Sequence, residues 1–157
     1  MVAEIGRGYG FAVAGLLERL IAAPGLYVGT GDGVGSGEFI GRFQVTVLPS
    51  GTAVAFDYEA FGQNEGLQHA EHTVLARDQE GRLSMFGVHS EAPVPVMLTE
   101  QTGGFFMDLE PVGSYVMAIQ MALDGGDLSY SWWWASQGEE LVERSRAVMH
   151  RVDPGAI

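Results

Sequence analysis

The chain is expected to be all-β: about ten antiparallel strands closing as an up-and-down barrel, with one helix at the N-terminus. Three observations carry this expectation. Beyond residue 25, apolar and polar residues alternate with the period of two that a strand imposes on its side chains. Turn clusters interrupt these runs at short, regular intervals, the pattern of a sandwich or barrel. Glycine also occupies every second position at Gly29, Gly31, Gly33, Gly35 and Gly37, which strips one strand face of side chains. Such a face suits a place where a backbone, a ligand or a sharp bend comes close.

Taken in order, the helix is expected over 9–23. Val13, Leu16, Leu17, Leu20 and Ile21 form an apolar stripe, and Pro24 with Gly25 ends it. Strands follow at 26–33, 37–48, 52–61, 67–77, 82–89, 94–100, 104–110, 114–123, 127–136 and 141–152. The turns between them are marked by Gly51, Gly62 to Gly66, Gly81, Pro93, Gly103 and Gly104, Gly113, Gly125 and Gly126, and Gly138. Phe39, Phe43, Val45 and Val47 share a face opposite Glu38, Arg42, Gln44 and Thr46. Val54, Phe56 and Tyr58 oppose Asp57 and Glu59; Tyr115, Met117, Ile119, Met121 and Leu123 line up on their strand, and Leu128, Tyr130, Trp132 and Trp134 on theirs. Closing ten such strands removes the exposed edges. With no linker or low-complexity segment, 1–157 reads as a single domain whose barrel spans 26–152.

Composition narrows the function. The 157 residues carry a formal net charge of −12, which argues against nucleic acid and anionic membrane surfaces as partners. The apolar segment 11–23 is interrupted by Glu18 and Arg19 and is too short to span a bilayer, so a cytoplasmic protein is expected. The absence of cysteine excludes disulfides, thiolate nucleophiles and cysteine-ligated metals. There is no lysine for a Walker loop, and the strict glycine period does not match the dinucleotide pattern. The ladder is therefore a strand feature.

The stretch Gly25, Tyr27, Gly29, Gly31, Gly33 resembles the first-strand signature of the nitrobindin-like proteins, a branch of the fatty-acid-binding-protein-like (calycin) barrels, with Tyr27 where that family carries Trp. The last strand is also similar: Ala147 and Arg151 match, while Arg144 stands where the family has its haem-ligating His. The resemblance implies a barrel with an internal cavity for a small, largely apolar ligand. It would imply haem only if another residue, such as His150, replaced the missing ligand. Cyclases and isomerases on related barrels keep an enzyme open as an alternative.

Phe43, Phe56, Tyr58, Met117, Trp132 and Trp134 are expected to line the cavity. His72 and His89 are candidate inward polar anchors, each sharing parity with apolar neighbours. Arg144 and Arg146 are candidates to receive a ligand carboxylate, against an alternative as surface ion pairs with Glu139, Glu140 and Glu143. Alternation sends Trp133 outward, either under the helix or into a homodimer contact. His69 and His72 fall on opposite faces and make a poor metal pair. No catalytic residue stands out. The expected function is non-catalytic binding of a small hydrophobic or amphipathic molecule, without a metal or other cofactor.

Overall fold

The computed structural model describes residues 15–111, 113–153 and 155. After α1 (Leu16–Ala22) come ten strands: β1 (Gly25–Gly33), β2 (Gly37–Val47), β3 (Val54–Gly62), β4 (Gly66–Arg77) and β5 (Leu83–His89), then β6 (Ala92–Thr102), β7 (Phe105–Met107), β8 (Tyr115–Asp124), β9 (Asp127–Ser136) and β10 (Val142–Arg151). Every consecutive pair is antiparallel, and β1 also pairs with β10, so the sheet closes as the sequence predicts. The main departure is β7, reduced to three residues.

The helix begins at Leu16, because Gly15 is its extended N-cap, and the expected turns over 9–14 lie outside the described residues. Leu17 and Leu20 are buried in the barrel core. Arg19 Nη1 donates to the Leu123 carbonyl at 2.9 Å, and Arg77 pairs with Glu18 at 2.7 Å, so α1 plugs the end formed by the close of β4 and β8. Tyr27 donates its hydroxyl to the Ala23 carbonyl at 2.6 Å beneath the plug.

Period two explains which residues fill the barrel. Tyr27, Phe43, Phe56, Tyr58, Met121, Leu128, Tyr130 and Met149 all point inward and are buried. Phe43 stacks on Phe56 with centroids 4.4 Å apart, and Tyr130 meets Tyr58 edge-on at 4.8 Å. Each such pair adds about 0.5–1.5 kcal/mol beyond its area burial.

The ladder resolves into two devices. Gly29 and Gly31 sit in β1 with their bare faces inward. A Cβ on Gly31 would strike the Phe39 ring and come within 2.6 Å of the Arg146 carbonyl oxygen. A Cβ on Gly29 would meet the Val148 carbonyl and lie 2.7 Å from Met149 Cα. The neighbouring strand and a folded-over phenyl ring therefore take the space that side chains would occupy. Gly35 and Gly37 instead serve the β1–β2 turn, with φ of +83° and +72°.

Candidate functional site

Four inward positions on adjacent strands build a polar cluster at the end of the barrel away from α1. The register places Tyr58 opposite Glu71 and Glu71 opposite His89, while His69 is paired with Ala60. Glu71 has only 2% of its side chain exposed. Donors converge on its two oxygens: the Tyr130 hydroxyl, Trp132 Nε1 at 3.1 Å, His69 Nε2 at 2.8 Å and Thr73 Oγ1 at 3.5 Å. A buried carboxylate is tolerated where donors saturate it in this way.

His69 extends the cluster outward. Its Nδ1 lies 2.7 Å from Glu91 Oε1, so both ring nitrogens face carboxylates, a role filled by the doubly donating imidazolium. Burial pulls the His69 pKa down, but the hydrogen bonds and charges of Glu71 and then Glu91 outweigh it and leave it raised. Burial likewise pushes Glu91 up, yet its bonds and attraction to His69, with a bond to His89, hold it below the usual carboxylate value. Tyr58 and Tyr130 are both raised, first by burial and then by the Glu71 charge.

Glu91 also orients His89, whose Nδ1 lies 3.2 Å from Glu91 Oε2. The other nitrogen, His89 Nε2, is buried and has no hydrogen-bond partner among the described residues. His89 and Trp132 rings stand 5.6 Å apart, and both line a small, partly open pocket with Glu71, Thr73, Met85, Gly87, Leu98 and Ile119. Its free volume is ≈ 20 Å³, room for one group of water size. Gly87 helps create this space, because a Cβ there would collide with Thr73 Oγ1.

The expected site residues divide. Phe43, Phe56, Tyr58 and Trp132 face inward as expected, and the first three pack mainly against one another and Tyr130. His89 faces inward, and Met117 is half-buried at the edge of the core. His72 is a correction. It lies on the outer face, 61% exposed, with Nδ1 2.6 Å from Asp57, because Glu71, Thr73 and Leu75 take the inner face of β4. Trp134 is also corrected: it is 40% exposed at the rim, with the Arg144 guanidinium 5.5 Å from its ring centroid.

Arg144 and Arg146 do not enter the interior. Arg146 alternates with the inward Ala147 and Met149 and pairs with Glu143 at 2.8 Å outside, while Arg144, at the bulge between Glu143 and Ser145, donates Nε to the Trp134 carbonyl at 3.2 Å. Both arginines line an open cleft of ≈ 810 Å³ along the β1, β2 and β10 rim, beside Asp32, Glu38 and Glu143. His150 is 66% exposed on the outer face, bound to Asp127 at 2.6 Å, so it does not face the interior as a replacement haem ligand would. Trp133 points outward and is half-buried against Phe105, with ring centroids 5.9 Å apart. Among the described residues, no group of three or more His, Asp or Glu side chains is arranged to hold a metal ion, and no helix is long and apolar enough to cross a membrane.

Sequence reasoning missed Glu71, His69, Glu91 and Tyr130 as members of one cluster. The available signal was the parity of Glu71, Thr73 and Leu75 on β4, which the more uniformly apolar Val74 and Ala76 obscured.

No family model matches the chain, and no curated protein matches it in sequence. Among solved structures it is similar to Rv2717c from M. tuberculosis, with a TM-score of 0.64 and 19% identity over 90% of this chain and 99% of that one. At that identity the likeness establishes a shared fold, a closed ten-stranded antiparallel barrel.

Proposed function

We propose that the chain binds a small, mostly apolar molecule at the polar end of the barrel interior. The head group meets His89, and the body rests on Met85, Leu98, Ile119 and Trp132. The observation carrying this reading is the buried Nε2 of His89, left without a protein partner beside an apolar pocket. A buried, unmade hydrogen bond costs about 1–3 kcal/mol, which a ligand can recover. Typical ligand pockets hold about 300–1,000 Å³, so a ligand body larger than one small group must displace lining side chains at the partly open mouth.

Membership of the nitrobindin-like or fatty-acid-binding-like barrels is part of the same proposal. It is supported by the glycine and tyrosine pattern of β1 and by the barrel itself. The outward Arg144, Arg146 and His150 give no support to haem or to a carboxylate held inside.

Native mass spectrometry of freshly isolated protein, before and after denaturation, tests the reading. A co-purified small molecule, retained by the wild type and lost on His89→Leu, is the expected result. Protein that carries no such molecule, and whose tryptophan emission ignores a panel of small alcohols, amines and acids, overturns it.

One observation favours a second reading, proton-transfer catalysis. Glu91 orients His89 so that Nε2 faces the pocket as a base. Exchange of a bound ligand's acidic C–H proton for deuterium, abolished in His89→Gln, would separate catalysis from binding.

A further inference from the structure

We infer that the pocket selects a hydrogen-bond-donating head group, an alcohol or a protonated amine, over a carboxylate. The inference rests on the binding function proposed above and specifies its ligand. Glu91 faces His89 Nδ1 at 3.2 Å, which places the ring proton there and leaves Nε2 as a bare acceptor in the neutral ring. That side chain is 10% exposed, and Nε2 itself is buried without a partner among the described residues. An acceptor in this position is satisfied by a donor, and a carboxylate brings only acceptors.

Charge points the same way. The pocket is flanked by Glu71 and Glu91, with the His69 imidazolium between them, so two negative groups outnumber one positive group. The pocket lining contains no arginine among the described residues. Arg144 and Arg146, the cations best suited to hold a carboxylate, stand on the outer face with partners of their own. The net charge of −12 adds long-range repulsion for anions. The side-chain donors that line the pocket, Trp132 Nε1 at 3.1 Å and Thr73 Oγ1 at 3.5 Å, are already given to Glu71.

Three probes with one apolar body test the selection: 1-hexanol, hexylamine and hexanoate, titrated near neutral pH. Replacing Trp133 and Trp134 by Phe leaves Trp132 as the sole tryptophan reporter at the pocket. Hexanol and hexylammonium are expected to bind at least about tenfold more tightly than hexanoate, one good hydrogen bond's worth of discrimination. His89→Leu should remove the share of the preference that the hydrogen bond supplies, bringing hexanol toward hexanoate and leaving only the charge discrimination. His89→Gln, which keeps an acceptor oxygen, should retain part of the hexanol preference. Hexanoate binding as tightly as hexanol overturns the donor selection and leaves the binding function standing. If none of the three binds, both fail, and a single water is the donor that Nε2 receives.

Discussion

His69 Nε2 lies 2.8 Å from Glu71 Oε2 inside the barrel, and this contact joins the buried carboxylate to the barrel's open end. On its other side the same ring reaches Glu91 at 2.7 Å, so one imidazolium bridges a buried and a half-exposed acid.

The bridge predicts a two-sided pH dependence of stability. The raised His69 contributes stability that is fully present below its ordinary value of 6.5 and is lost as pH rises through its higher folded value. The lowered Glu91 contributes stability that is present above its ordinary 4.5 and is lost as pH falls through its lower folded value. Melting temperature should therefore be highest between the two and decline on either side. His69→Gln should flatten the alkaline limb in a thermal melt series.

Removing the buried carboxylate should be severe. Glu71→Ala leaves the Tyr130 hydroxyl, the Trp132 N–H and the His69 imidazolium without their shared acceptor, and breaking such a buried pair costs about 3–5 kcal/mol. Tyr130→Phe removes a single donor and should cost about 1–3 kcal/mol. Urea denaturation with an unchanged slope would verify both; a Glu71→Ala cost below that of Tyr130→Phe would contradict the convergence of donors.

Gly29 and Gly31 should respond differently to alanine. At Gly31 the first obstacle is the movable Phe39 ring, so Gly31→Ala should cost about 1–3 kcal/mol and recover in part when combined with Phe39→Ala. At Gly29 the obstacle is the β10 backbone at Val148 and Met149, so Phe39→Ala should give no relief. A double-mutant cycle by chemical denaturation distinguishes the two.

Enlarging the pocket should exchange stability for affinity. Leu98 is buried at the lining, and Leu98→Ala should cost about 2–5 kcal/mol while opening space beside His89. Hexanol should bind this variant more tightly than the wild type. Arg144→Gln, on the outer face, should leave hexanol binding unchanged in the same titration.

Most of the barrel was legible because its strands obey one rule. Phe43, Phe56, Tyr58, Tyr130 and Trp132 alternate with polar neighbours, and the glycines mark the turns, so strand count and inward faces follow from the period. The site was legible only in part, because it breaks the rule. Glu71 and Thr73 are polar residues on the inner face of β4, while Val74 and Ala76 lie behind them, and this inverted pattern made His72 look internal. Only register across β3, β4 and β5 brings Tyr58, Glu71 and His89 into one row. The arginines were open to either reading because alternation fixed only a shared face; the inward Ala147 and Met149 put Arg146 outside, and only Arg144 sits at the bulge before Ser145.

The pairing of β1 with β10 has a kinetic meaning. Every other pairing in the barrel joins strands adjacent in sequence, whereas Tyr27 meets Arg151 only after nearly the whole chain is in place. Loop-closure entropy concentrates on this single seam, making it the slow, non-local step of assembly and the place where the cylinder unzips first. The backbone amides of Val28 and Thr30, which lie in the hydrogen-bonded pairs with β10, should accordingly exchange hydrogen sooner than that of Phe56, and the reverse order would assign the weakest joint elsewhere. The glycine ladder lies along this seam, where unobstructed backbones let the last strand dock flush against the first.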